Sequence, residues 1–292
     1  MGTESALPSP PCLRWSAMTH RGRVRSNNED AFLAMTLDGH GVRYLGKEGE
    51  MTEPGPDYIF AVSDGMGGER AGEFASRVTV DQVTKLLPKS FRIGALGLSG
   101  GCVDLLGELF TTIHRELISL GRSYDECQGM GATLSLCWFT PEWMYFCHIG
   151  DTRIYYLPAD GGLTQLTHDH SHVGWLRRTG QINEREARNH PRKNSLQQAL
   201  GADHQFVDPQ VGSVGFVPGD RFLICSDGLI DGLWDRNLEE LIRSPSLPQS
   251  ASTPAPRLIG ESLEVSGRDN LTAVVIEVLP PSASAATTAT TP

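Results

Sequence analysis

Short apolar runs rich in β-branched and aromatic residues recur along this chain, and turn residues bound each of them. Runs of this kind predict strands, because such side chains suit a pleated surface. The six runs are Tyr58–Ser63, Thr133–Phe139, Trp143–Ile149, Arg153–Leu157, Arg221–Ser226 and Leu271–Val278. Only Thr140-Pro141-Glu142 separates the second run from the third, so a hairpin is predicted over residues 133–149.

Two longer segments carry apolar residues at helical spacing instead. The first, Glu69–Leu87, has Ala71, Phe74, Ala75, Val78, Val83, Leu86 and Leu87 on one face; the second, Val103–Leu120, has Val103, Leu106, Phe110, Ile113 and Leu117. Each predicts a helix whose single apolar face covers a sheet. Asn183 and Glu186 form a capping-box pattern that predicts a short helix over 184–189. Strands with helices on their outer faces predict a layered α+β sandwich.

Low-complexity composition marks the ends of the folded region. Residues 1–12 are rich in Pro and Ser, and residues 280–292 in Pro, Ala, Ser and Thr, which predicts two disordered tails around a folded region at 13–279. A similar stretch at 244–256 predicts a surface loop. The Gly- and charge-rich segment 36–57 predicts a surface excursion.

Composition excludes some classes of partner. The formal net charge is −10 and no long Lys/Arg run occurs, which argues against a nucleic-acid surface. The first residues do not read as a signal peptide, and no apolar run approaches the ~20 residues of a membrane helix. We therefore expect a cytoplasmic protein without nucleic-acid or membrane partners. Cys137 and Cys147 could face each other across the hairpin, but reduced apolar thiols are the favoured interpretation.

Four aspartates suggest the chemistry. Asp64, Asp151 and Asp227 each follow a predicted strand and adjoin a glycine, and Asp269 precedes the last strand. Carboxylates beside bare backbone suit hard divalent cations, which prefer oxygen ligands. A metal centre assembled from distant parts of the sequence is the resulting hypothesis.

A charged segment near the start adds an anion-binding group. In Arg25-Ser26-Asn27-Asn28-Glu29-Asp30, the guanidinium can bind phosphate in a bidentate manner, and the two carboxylates can bind or orient a metal. By itself, a charged run is more often a solvated loop.

Taken in order, the motifs resemble one family. They are Arg-x-x-Asn-Glu-Asp (25–30), Asp-Gly-Met-Gly-Gly (64–68), Gly-Met-Gly-Ala-Thr (129–133), Gly-Asp-Thr-Arg (150–153), Leu-Thr-His-Asp-His-Ser (166–171), Ser-Asp-Gly-Leu (226–229) and Asp-Asn-Leu-Thr (269–272). This set resembles the metal-dependent serine/threonine protein phosphatases of type 2C, in particular their bacterial branch. The resemblance covers roughly 14–279 and implies a four-layer α-β-β-α sandwich, with two antiparallel sheets flanked by helices.

The resemblance also implies a site and a reaction. Asp64 would bridge two Mn²⁺ or Mg²⁺ ions, the Gly65 carbonyl would bind one, and Asp227 and Asp269 would bind the other. Asp30 would act through bound water, and Glu29 would help to orient the ligands without binding an ion directly. Arg25 would hold the phosphate of a phosphoserine or phosphothreonine while a metal-bridging water attacks phosphorus in line. The expected substrates are proteins phosphorylated by a Ser/Thr kinase, and a monomer is expected.

Bacterial relatives add a third, weaker ion near a mobile flap. Asp151, together with Asp227, would hold it; the alternative is that Asp151 caps a turn and orients Arg153. Residues 171–200 match the flap, where Trp175, Arg177 and Arg178 are candidates for contact with a phosphopeptide. For Trp175, anchoring the flap is an equal alternative.

One departure from the family pattern concerns the general acid. Many eukaryotic members have His, proposed to protonate the leaving alkoxide, where this chain has Met66. Thioether sulfur cannot do this, so metal-bound water or another group would. The rival interpretations are a catalytically weak phosphatase-like scaffold and a His/Asp phosphohydrolase using the histidines at 148 and 168–172.

Overall fold

Two antiparallel sheets lie face to face and bring the predicted strands together. The structure is a computed structural model that describes residues 12–51, 56–95, 101–141, 143–243, 245–246 and 252–280. The expected disordered tails lie outside the described residues, except for Cys12, which opens the first strand, and Pro280.

The first sheet has six strands. They are β1 (Cys12–His20), β4 (Glu48–Met51), β9 (Arg153–Leu157), β10 (Thr164–Gln165), β13 (Arg221–Cys225) and β14 (Leu271–Leu279). Their order across the sheet is β10-β9-β13-β14-β1-β4, and the pairings are antiparallel.

The second sheet has eight strands. They are β2 (Asp30–Asp38), β3 (Gly41–Tyr44), β5 (Asp57–Met66), β6 (Gly131–Ala132), β7 (Leu134–Phe139), β8 (Trp143–Ile149), β11 (Leu200–Gly201) and β12 (Gln210–Gly215). The main order is β11-β6-β5-β7-β8-β12, with β2 paired to β5 and β3 paired to β2. All six predicted strands are confirmed, as is the hairpin β7–β8.

Helices cover both outer faces, which confirms the four-layer sandwich. Helices α1 (Glu69–Ala95) and α2 (Cys102–Ser123) pack on the second sheet; α5 (Asp227–Gly232), α6 (Asp235–Arg243) and α7 (Pro254–Val265) pack on the first. Helices α3 (His172–Arg178) and α4 (Glu184–Arg188) belong to the predicted flap. The capping box of Asn183 and Glu186 is present, as the sequence predicts.

The central strands β5, β7 and β13 are largely apolar because both of their faces are buried. In β5, Tyr58 and Phe60 point between the two sheets, while Ile59 and Ala61 point toward α1 and α2. Side chains alternate between faces along a strand, so a strand between two apolar layers needs apolar residues at successive positions.

Two connections differ from what the sequence predicts. The described part of segment 36–57 lies largely at the surface, as expected, but it contains two strands that were not predicted: β3 extends the second sheet and β4 the first, so the segment crosses between the two. Helix α7 begins at Pro254, inside the expected loop 244–256, of which 244 and 247–251 lie outside the described residues. Sequence reasoning missed both because short strands and a Pro-rich helix start have weak local patterns.

The cysteines are free thiols. Cys137 lies opposite Phe146, and Cys147 lies opposite Leu136. A shift of one residue places two side chains on opposite faces of a sheet, so Cys137 and Cys147 cannot pair. Burial raises the pKa of both thiols.

Within the described ranges, each helix is too short or too polar to cross a membrane.

The crossing segment gives a test of packing. Trp15 is buried under it, donates from Nε1 to the Gly46 carbonyl over 2.9 Å, and lies against Gly49 so closely that a Cβ there would overlap the indole. We expect Gly49→Ala to lower the free energy of unfolding by about 1–3 kcal/mol, the usual cost of overpacking. Urea denaturation measures it. Gly39→Ala is the matched control, because a Cβ there meets nothing within 4 Å; equal effects of the two variants would contradict the packing argument.

Candidate metal centre and flap

The predicted aspartates meet at one edge of the sandwich because antiparallel strands begin and end there. Asp30 opens β2 and lies directly opposite Asp64 near the end of β5. Asp151 lies between β8 and β9, Asp227 follows β13, and Asp269 precedes β14. Arg25, Glu29, Asp64, Asp151, Asp227 and Asp269 line one open cleft of about 350 Å³, together with Gly65.

Close backbone packing fixes the two central ligands. A Cβ on Gly65 would overlap the Gly72 carbonyl at the start of α1, so only glycine lets the helix approach. The Gly65 amide donates to the Glu29 carbonyl over 3.1 Å, and the Asp64 amide donates to the Thr133 hydroxyl over 2.9 Å. These contacts hold the Asp64-Gly65 pair at the floor of the cleft.

Asn270 connects the loop before β14 to the loop between β1 and β2, a role that the sequence analysis did not assign. Its Oδ1 accepts from the Glu29 amide over 2.7 Å, and its Nδ2 donates to the carbonyls of Arg21 and Asn27, both over 2.9 Å. A Cβ on Gly228 would overlap the Asn270 carbonyl, so α5 packs against this loop. The buried amide of Asn270 therefore sets the spacing between the first motif and the last.

Burial and mutual repulsion disfavour the charged state of these carboxylates. Desolvation, followed by repulsion from Asp30 and Asp227, raises the pKa of Asp64 well above its ordinary value. Desolvation, followed by repulsion from Asp151 and Asp269, does the same to the pKa of Asp227. Burial raises the pKa of Asp151 to about 7. A cation would remove this penalty.

Asp30 provides a direct test of fit to a cation. Its Oδ2 accepts from the hydroxyls of Ser226 over 2.6 Å and Thr272 over 2.7 Å, whereas its buried Oδ1 has no hydrogen-bond partner among the described residues. Burial raises the pKa of this carboxyl to about 6. A fixed carboxylate with one unsatisfied oxygen beside the other acidic groups fits an ion or its water.

The carboxylates do not form a closed cage. In the described part of the chain, no three His, Cys, Asp or Glu side chains are drawn together tightly enough to hold an ion unaided. Asp269 is instead engaged with Arg25, whose Nη2 donates to its Oδ2 over 2.9 Å. Hard ions such as Mg²⁺ commonly keep several waters, so an open set of oxygen donors fits them, with the Gly65 carbonyl as a further donor.

Asp151 does not orient Arg153. Arg153 donates from Nε and Nη2 to Asp169 over 2.8 and 2.6 Å, and this pair is almost fully buried. The side chain of Asp151 lines both the cleft and a smaller cavity of about 60 Å³ under the flap, and Asp227 lines both as well.

Three cationic side chains attach the flap to the segment that follows Asp227. Arg177 pairs with Asp235 at 2.6 Å and Lys193 with Asp231 at 2.7 Å, while Arg188 donates to the carbonyls of Ile230 and Leu233. The guanidinium of Arg188 also lies 4.3 Å from the ring centre of Trp234. The flap and the metal centre are therefore joined through α5, a link that the sequence pattern did not show.

The structure does not bring the expected flap residues to the cleft. Arg177 is held in its pair with Asp235, and Trp175 and Arg178 lie on the far side of α3, where Trp175 stacks on His172 with ring centres 5.9 Å apart. This follows from the docking of α3 through buried Val173. Asn194 and Leu196 are the flap residues that line the cleft.

The histidines form a support rather than a second metal site. His148 is fully buried; its Nδ1 lies 2.9 Å from the Ser135 hydroxyl and its Nε2 lies 3.1 Å from the His168 carbonyl. Burial lowers its pKa to about 3. Met66 lines the cleft, where the described residues include no histidine, so the side chains there offer no imidazole as a general acid.

Comparisons with known proteins agree with this architecture. Residues 50–258 match the family model for protein phosphatase 2C. The serine/threonine protein phosphatase PstP of Mycobacterium tuberculosis is 34% identical over 270 residues, which cover 91% of this chain but 45% of that protein. The serine/threonine phosphatase Stp of Listeria monocytogenes is 32% identical over 260 residues, which cover 89% of this chain and 93% of that one.

Solved structures show the same fold. The crystal structure of the mycobacterial PstP superposes with a TM-score of 0.72 at 31% identity, covering 92% of this chain and 100% of that one. The PstP catalytic domain in complex with two manganese ions superposes with a TM-score of 0.69, also at 31% identity, covering 92% and 99%.

The raised pKa of Asp151 predicts how stability depends on pH in the presence of EDTA. Between its ordinary pKa of ~3.9 and its pKa of about 7 in the fold, Asp151 holds a proton in the folded protein that it has lost in the unfolded chain. The stability contributed by this group therefore falls as pH rises across that window. We expect Asp151→Asn to gain melting temperature relative to the wild type between about pH 4 and pH 7.

Differential scanning fluorimetry in EDTA measures this gain. Asp160→Asn, at an exposed position, is the control whose difference from the wild type stays constant. An Asp151→Asn difference that is equally constant would show that Asp151 is not held in a repulsive environment.

Proposed function

The chain belongs to the protein phosphatase 2C family, and on that basis we propose that it hydrolyses phosphoserine and phosphothreonine in proteins. The observation that carries the proposal is the convergence of Asp64, Asp227 and Asp269 beside Arg25 in one accessible cleft, with Asp30 directly opposite Asp64 on the neighbouring strand. Because the chain spans 45% of the length of the mycobacterial relative, the substrates of that whole protein are not assigned to this one.

We propose that two ions are held by the residues that the sequence identified. Asp64, Asp227 and Asp269 offer carboxylates, the Gly65 carbonyl offers a further oxygen, and Asp30 is fixed by Ser226 and Thr272 to act through water. Bound Mn²⁺ or Mg²⁺ would supply Lewis-acid chemistry, lowering the pKa of an attacking water and neutralising charge on the phosphoryl oxygens. The related catalytic domain solved with two manganese ions supports this number.

Arg25 is suited to orient the phosphoryl group. Its Nη2 is bound to Asp269, and this bond and the surrounding carboxylates raise its pKa, so it remains charged at any working pH. A guanidinium has five N–H donors, and donors beyond Nη2 can face a phosphate. Asp269 thus holds the guanidinium beside the ligands that would contact the ions.

The remaining parts of the proposal concern a third ion, the substrates, the location of the protein and its oligomeric state. Asp151 and Asp227, which line both the cleft and the cavity under the flap, would hold a third ion. The substrates would be proteins phosphorylated by a Ser/Thr kinase. That the protein is cytoplasmic and monomeric remains a prediction.

Replacing a central ligand tests the metal mechanism. We expect Asp64→Asn and Asp227→Asn each to reduce Mn²⁺-dependent hydrolysis of p-nitrophenyl phosphate by more than about 100-fold, because each removes a formal charge at constant volume. Loss of activity in EDTA and its return with Mn²⁺ should be seen in Asp160→Asn, as in the wild type. Near-normal turnover of either ligand variant would be incompatible with the proposed centre.

Arg25→Ala tests the phosphate contact. Loss of a charge-assisted bond should reduce kcat/KM by about 10- to 100-fold, mainly through KM, and Arg25→Lys should recover part of it. Arg23→Ala is the matched control, since Arg23 forms an exposed pair with Glu264. If Arg25→Ala and Arg23→Ala give the same kinetics, Arg25 does not face the phosphate.

Asp151→Ala tests the third ion. We expect the variant to keep two tightly bound ions, turn over more slowly and require more Mn²⁺ for full activity, because a site with few protein oxygens binds weakly. Calorimetric titration counts the ions while the activity titration gives the concentration dependence. An unchanged ion count and an unshifted activity curve would show that Asp151 holds no ion.

A further inference from the structure

Two loops at the mouth of the cleft carry four arginines, and only Arg25 among them has a role in the proposed reaction. The first loop contains Arg21, Arg23 and Arg25, and the second contains Arg268, directly before Asp269. All four are exposed. We call Arg21 and Arg268 the arginine rim.

The loops hold each other in place, so the rim has a defined position. Gly22 has φ +79°, a backbone conformation that favours glycine, and a Cβ there would overlap the Asp269 carbonyl. The Arg23 amide donates to the Gly267 carbonyl over 2.7 Å, and the Arg21 carbonyl accepts from buried Asn270. The backbones of both rim residues therefore lie beside a proposed metal ligand.

The charges of the rim are not neutralised nearby. Arg25 is paired with Asp269, and Arg23 with Glu264 at 2.7 Å. The guanidinium of Arg21 makes one long contact, 3.5 Å to the Ser26 carbonyl. Within the described residues, neither Arg21 nor Arg268 forms an ion pair with a carboxylate. Two guanidinium groups without a carboxylate partner among the described residues therefore lie on the loop of Arg25, the residue suited to hold the phosphate, and on the loop of its partner Asp269.

We propose that Arg21 and Arg268 select phosphorylated segments that carry anionic side chains beside the phosphorylated residue. The inference rests on the proposed function and adds a substrate class to it. With the phosphate at Arg25, a segment that runs along the side of the cleft formed by these two loops would bring its neighbouring side chains to guanidinium groups instead of to the carboxylates of the metal centre. Guanidinium pairs well with both carboxylate and phosphate.

The expected size of the effect follows from exposure. Exposed ion pairs change an equilibrium by roughly 1.5- to 5-fold each, and salt screens them. Two rim arginines should therefore favour an acidic segment by about 2- to 25-fold at low ionic strength, and less at high ionic strength.

Competing peptides that differ only in flanking charge test the proposal. Each contains the same phosphothreonine; the flanks hold glutamates in one and glutamines in the other, and a third peptide has a non-hydrolysable phosphonate analogue of phosphoserine in place of glutamate. The measured quantity is the ratio of kcat/KM for the acidic peptide to that for the neutral peptide, taken within each protein variant. The glutamate and phosphonate arms distinguish the two sources of negative charge.

We expect the wild type to favour the acidic peptides at low salt and the double variant Arg21→Gln/Arg268→Gln to give a ratio near 1. Arg43→Gln is the matched control and should keep the wild-type ratio. Arg43 is also exposed, but it lies opposite Thr36, six positions along β2 from Asp30 (30 to 36), or about 20 Å from the cleft.

Two results would overturn the inference: a wild type without preference for acidic flanks, or a double variant whose ratio falls by less than roughly twofold. The proposed phosphatase activity fails separately, since the neutral peptide would then not be hydrolysed by the wild type with Mn²⁺.

Discussion

Repulsion among carboxylates at one edge of the sandwich is the constraint on which the rest of this structure depends. Five aspartates from six strand ends are brought together where burial already penalises their charge. Two kinds of support hold them there: backbone contacts that only glycine permits, at Gly65 and Gly228, and neutral polar side chains such as Asn270. A rigid set of repelling oxygens favours a divalent cation because the ion removes a penalty that the fold maintains.

The flap and the loops that bear Arg21 and Arg268 lie at the same edge, where they would affect which substrate enters the cleft. Helix α5 begins at Asp227, and the attachments of the flap lie near its other end, so the position of the flap and that of a ligand are not independent. On the opposite side, the loops bearing Arg21 and Arg268 pack on the backbone of Asp269. Carboxylates therefore line the cleft, whereas the exposed guanidinium groups of Arg21 and Arg268 lie on the loops at its mouth.

Elements with strong local patterns could be predicted from the sequence. The apolar runs of β5, β7, β8, β9, β13 and β14 form strands, and α1 and α2 form where their stripes predict them, because most of these residues are buried. Phe74 and Val103 are exceptions: both were expected on the apolar faces, and each is 43% exposed. Strands β3 and β4 were missed, since they are short and lie at sheet edges where the burial pattern is weak. The position of Trp175 away from the cleft could not be predicted either, because the orientation of a short helix depends on what it packs against.

The sequence by itself determined the residue types of the site and, through its ordered motifs, the family. A carboxylate at a strand end, or a glycine where a backbone must approach, is a local requirement that appears in the letters. Tertiary structure alone decided the pairing of Asp30 with Asp64, the engagement of Arg153 by Asp169 and of Arg25 by Asp269, and the attachment of the flap to α5. These are contacts between residues far apart in the chain, and their partners are chosen by the way the two sheets and their loops pack, which no local pattern records.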